Sequence, residues 1–153
     1  MIKNIVTASG HEYGLGHLKR GEHQYMDRDY RFNYISEKIT DAIHIMPFGN
    51  DKLIYEDEIC FSFTAINDVD VFIIFADKFP VVPIWLDGFT RLRMNVTRED
   101  SSPETLKGFF SVFQKSFPKG KIELGGCSPK SMLTKDFRDS LGSGFCMYSV
   151  AVR

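Results

Sequence analysis

The sequence predicts an α+β domain, a largely antiparallel sheet with three helices packed on it, spanning residues 1–153 as one globular unit. Three observations predict this class. Residues 58–67 alternate, with Ile59, Phe61, Phe63 and Ala65 on one face and Cys60, Ser62 and Thr64 on the other, the period of a half-buried strand. Residues 69–76 are apolar on both faces, as in a central strand covered on two sides. Three other segments carry apolar residues at spacings of three and four, and two of them open on Ser-Pro.

Taken in order, Ile2–Ala8 is the N-terminal strand. Ser9 to Arg31 is turn-rich, with Gly10, Gly14, Gly16 and Gly21, and is long for a structureless connection in a compact domain. Ile35, Ile39, Ala42, Ile43 and Met46 predict an amphipathic helix over 31–45 that Pro47 ends. Strands follow at 58–67 and 69–76, turning at Asn67-Asp68. Asp87-Gly88 predicts a hairpin joining Val81–Leu86 to Phe89–Val96. In that second arm Leu92, Met94 and Val96 share a face opposite Arg91 and Arg93.

Ser102-Pro103 and Ser128-Pro129 each place a capping Ser before a Pro at the first helical position. The first predicted helix carries Leu106, Phe109, Phe110, Phe113 and Phe117 on one face. The second carries Leu133, Phe137 and Leu141 and stops at Gly142. A short strand at 121–124 precedes it, and a last strand, Phe145–Val152, closes the chain. The expected sheet is a meander of about five strands plus the N- and C-terminal strands.

Composition narrows the function classes. Nineteen basic against twenty acidic residues argue against a nucleic-acid binder, which needs clustered Lys and Arg, and offer no polybasic patch for a membrane. No apolar run has the length of a signal peptide's core or a membrane span, so a cytoplasmic location is expected. Three cysteines, at 60, 127 and 146, do not make a disulfide framework. Fourteen Phe residues predict a large aromatic core with apolar surface left for a partner.

Lys121-Ile-Glu-Leu-Gly-Gly-Cys127-Ser-Pro-Lys-Ser131 is the stretch richest in chemistry. It places Cys127 ahead of a predicted helix N-terminus, where unpaired amides and the helix dipole favour a thiolate. The amides around Gly126 and Ser128 are then candidates for holding an oxyanion. His44, at the end of the first predicted helix, and His17, in the glycine-rich segment, are the candidate bases. Ser9–His17 follows a strand and is a candidate phosphate cradle, although it lacks Rossmann and P-loop spacing. His11, His17 and His23 are spaced by six, which does not place them on one helix face, so no metal or cofactor is expected.

The leading expectation is a small binding domain that engages a protein partner, because no catalytic constellation is complete. The rival is a cysteine-nucleophile hydrolase, deamidase or acyl transferase built on Cys127, with His44 or His17 as base. The third is a phosphate- or nucleotide-binding domain using the glycine turns.

Overall fold

The computed structural model describes residues 1–79, 81–132 and 145–153. It is a β-sandwich. The strands are β1 (Ile2–Thr7), β2 (Gly14–His17), β3 (Ile43–Met46), β4 (Ile59–Ala65), β5 (Val69–Ala76), β6 (Thr90–Ser102), β7 (Lys107–Phe117), β8 (Gly120–Gly125) and β9 (Ser149–Val152). They form an antiparallel three-stranded sheet, β1-β4-β8, and an antiparallel six-stranded sheet, β2-β3-β9-β5-β7-β6. One apolar core joins them, with Phe61, Phe63, Ile122 and Leu124 from the small sheet and Ile45, Val71, Ile73 and Val150 from the large one.

The α+β expectation is therefore corrected: the two antiparallel sheets make up the fold, and among the described residues no helix reaches seven residues. The predicted helix at 31–45 is a single turn at Ser36–Thr40 followed by β3. Its isoleucines are β-branched, and β2 and β9 offer hydrogen-bonding partners on both sides, so tertiary pairing overrides the helical spacing. The predicted helix after Ser102-Pro103 is the turn of the β6–β7 hairpin, where Ser102 pairs with Lys107. Its phenylalanine stripe is the buried strand β7, apolar on both faces through Phe110, Val112 and Phe113.

Asp87-Gly88 closes a 3-10 turn, Ile84–Gly88, so the hairpin moves to the far end of β6. Ser128 does not cap a helix; its hydroxyl donates to the Lys52 carbonyl, and a short 3-10 turn follows at Lys130–Met132. The remainder of that predicted helix, with Leu133, Phe137, Leu141 and Gly142, lies outside the described residues. The meander is corrected too, because β4 and β5 are consecutive in sequence but lie in different sheets, and β9 inserts between β3 and β5.

The turn-rich segment after β1 is ordered cover for the large sheet. It buries Leu18 and Tyr25, the residues that follow it bury Phe32 and Ile39, and Phe32 meets the His44 ring edge-on at 5.2 Å. Within it, β2 pairs with β3 from Gly14–Met46 to His17–Ile43. Among the described residues no helix is long and apolar enough to cross a membrane.

Candidate functional site

A cavity of about 390 Å³ opens at one end of the large sheet, within the size range of small-molecule sites. Separate stretches of chain converge on it. The 3-10 turn Gly49–Leu53 supplies Asn50 and Lys52, and β6 supplies Arg98. The covering segment supplies Tyr25, Arg28 and Tyr30, while Lys78, Lys107 and Phe145 complete the wall.

Arg98 is the structural centre. It is 2% exposed and holds Asp100 with two bonds, Nε to Oδ1 at 2.9 Å and Nη2 to Oδ2 at 3.2 Å. Its guanidinium lies 3.9 Å over the Tyr30 ring, and Nη1 donates to Cys146 Sγ at 3.4 Å. Stacking and a bidentate carboxylate are what a planar guanidinium supports and an ammonium does not. Lys107 Nζ lies 3.5 Å from the same Asp100.

Arg28 bonds Asp27 at 2.6 Å and the Asn50 side chain at 2.7 Å, and Asp27 in turn accepts from the Gly49 amide at 2.7 Å. A Cβ at residue 49 would sit 2.0 Å from Arg28 Nη1, so a side chain there would displace the Arg28 guanidinium from this position. The turn is thereby clamped beneath Arg28.

Lys52 is the unusual group. It is 8% exposed, and its Nζ donates to the Phe145 carbonyl at 3.2 Å. No carboxylate among the described residues lies within ion-pair distance of it. Burial, and then repulsion by Arg28, hold its ammonium below the usual lysine value. Five cationic side chains line the cavity, whereas the neighbouring Asp27 and Asp100 pair with Arg28, Arg98 and Lys107 alone. Among the described residues, Lys52 and the exposed Lys78 have no carboxylate within ion-pair distance and add positive charge to the cavity.

The residues singled out from the sequence lie elsewhere and do not assemble. Cys127 is fully buried, its Sγ donates to the Cys146 carbonyl at 3.5 Å, and burial pushes its thiol well above the usual value. The Gly126 amide donates to Glu58 O at 2.9 Å and the Ser128 amide to Ile54 O at 3.1 Å, so both are engaged within the fold. His44 is buried in β3 with neither ring nitrogen hydrogen-bonded, and His17 is exposed on β2 beside the Asp41 carbonyl. The other histidines go to separate partners, His11 to buried Asp51 at 3.0 Å and His23 to Asp29 at 2.8 Å.

One sequence signal could have found Arg98. Continuing the inward phase of Leu92, Met94 and Val96 along β6 places residue 98 on the same face, and an inward arginine demands a partner. No comparable signal marks Lys52, whose burial depends on the chain arriving at Phe145.

No protein-family model matches the sequence, and no curated protein matches it. Solved structures share the fold, among them two glycoside hydrolases. A beta-glucuronidase from glycoside hydrolase family 2 superposes with a TM-score of 0.73, at 16% identity over 97% of this chain. An enzyme of glycoside hydrolase family 138 that targets pectin rhamnogalacturonan II gives a TM-score of 0.57, at 13% identity and the same coverage. The chain spans 14% and 16% of the lengths of these two proteins. At such identities the likeness is one of fold, and chemistry has to be argued from the cavity itself.

Proposed function

We propose that the chain is a binding domain whose cationic cavity recognises a carboxylated sugar. The observation that carries this reading is Lys52, a buried ammonium with no carboxylate partner among the described residues, beside Arg98. A buried charge is costly unless it is paired, and an incoming carboxylate supplies the missing partner. Tyr25, Tyr30 and Phe145 add the apolar wall that a sugar ring packs against. The two neighbours in fold are named as glycoside hydrolases, one a glucuronidase and one directed at rhamnogalacturonan II, which supports a sugar as ligand.

The expectation of a binding domain carries over from the sequence, with the ligand changed from a protein to a small acid. A nucleophile at Cys127 has less support, because activation requires a lowered thiol pKa and a base in reach. The three free cysteines favour a reducing, cytoplasmic setting, in which a soluble sugar acid or short oligosaccharide is the available ligand.

Calorimetric titration with glucuronate and with glucose tests the reading. Glucuronate is expected to bind and glucose to fail. Lys52→Met is expected to weaken glucuronate about tenfold or more, since a hydrogen bond to a charged group contributes about 1.5–3 kcal/mol. Equal binding of the two sugars, or no binding of glucuronate, overturns it.

A further inference from the structure

A second cavity, of about 370 Å³, lies against the first and shares Ala76 and Leu106 with it. We propose that the two form one bipartite site, the cationic half taking the acidic sugar and the second half an uncharged sugar ring linked to it. This rests on the reading of the first cavity given above.

The chemistry of the second half differs from the first. Its polar groups are one cation and one anion, joined through a hydroxyl: Arg91 Nη2 donates to Ser111 Oγ at 2.9 Å, and Ser111 Oγ donates to Asp77 Oδ1 at 2.5 Å. A balanced set of donors and acceptors suits sugar hydroxyls, whereas the surplus cations next door suit a carboxylate. Phe113 and the exposed Val82 give it apolar walls.

Leu106 is the shared partition. It stands in the β6–β7 turn with φ of +58°, in the left-handed region that leucine rarely adopts, and its side chain is 46% exposed. Glycine would fill that turn without strain, as Gly108 does two residues later at +71°. A large apolar side chain held in a strained backbone, on the wall common to two cavities, is the pattern of a residue kept for contact with a ligand.

The test titrates the full chain with glucuronate, with a disaccharide of glucuronate linked to glucose, and with p-nitrophenyl glucuronide. The disaccharide is expected to bind at least tenfold more tightly than glucuronate and more tightly than the aryl glycoside. In Asp77→Ala and Val82→Ser the ratio of disaccharide to glucuronate affinity is expected to fall to within twofold. Circular dichroism confirms that each variant is folded. A disaccharide no tighter than glucuronate, or an aryl glycoside that gains as much, overturns the bipartite site and leaves the acid site standing. Failure of glucuronate itself to bind overturns both.

Discussion

At the scale of single residues, His44 makes stability depend on pH in the acidic range. It is fully buried on β3 with both ring nitrogens unpartnered, and desolvation pulls its pKa from 6.5 down to about 3. The fold therefore binds the neutral imidazole, while the unfolded chain takes up a proton below pH 6.5. Stability is complete above that value and declines as pH falls toward 3, by about 1.4 kcal/mol for each pH unit. Urea unfolding at pH 7.5 and pH 5 is expected to differ by about 2 kcal/mol from this group. His44→Leu should remove that difference, and an unchanged pH dependence in the variant would assign it to other groups. Sequence identified His44 as a residue to watch for the opposite reason, as a base at a helix end. Whether a histidine is solvated or sealed depends on what packs over it, here Phe32 from twelve residues upstream.

At the scale of elements, the Gly125-Gly126 turn shows how a motif can be legible while its cause is not. A glycine pair between a strand and a Ser-Pro reads as a turn. The requirement at Gly126 comes from close packing, because a Cβ there would lie 2.0 Å from the Tyr55 carbonyl oxygen and 2.3 Å from that of Ile54. At Gly125 it would lie 2.3 Å from the Trp85 ring, whose Nε1 donates to the Gly126 carbonyl. Two backbone carbonyls cannot swing aside as a side chain can, so Gly126→Ala is expected to cost about 2–3 kcal/mol in urea unfolding. A cost below 1 kcal/mol would show that the 54–58 segment yields. The strands β1, β4 and β5 stand where the sequence places them, β4 on its alternation and β5 on its continuous apolar run. Even so, a bulge between Ile59 and Phe61 buries Cys60 together with Phe61. The short β3 was read as helix because four residues are too few to separate period two from period 3.6.

Across the whole molecule, stability rests on one core rather than on two independent sheets. Ile73 is fully buried on β5, paired to Phe113 of β7 and Val150 of β9. Ile73→Ala is expected to cost about 2–5 kcal/mol and to leave a single unfolding transition, because both sheets share the cavity it creates. Separate transitions in calorimetry would show that the small sheet unfolds alone. The sequence by itself determined local things: the strands β1, β4, β5, β8 and β9, the turn between β4 and β5, and a core rich in phenylalanine. Periodicity, glycine and proline act within a few residues, so they survive without knowledge of the fold. The tertiary structure decided that the Ser-Pro at 102 closes a hairpin, that β9 enters the middle of the large sheet, and that β4 and β5 part into different layers. It alone brought Lys52, Arg98 and Phe145 to one cavity. Pairing partners and surplus charge arise from contacts between residues far apart in the chain, and no local pattern of residue types records them.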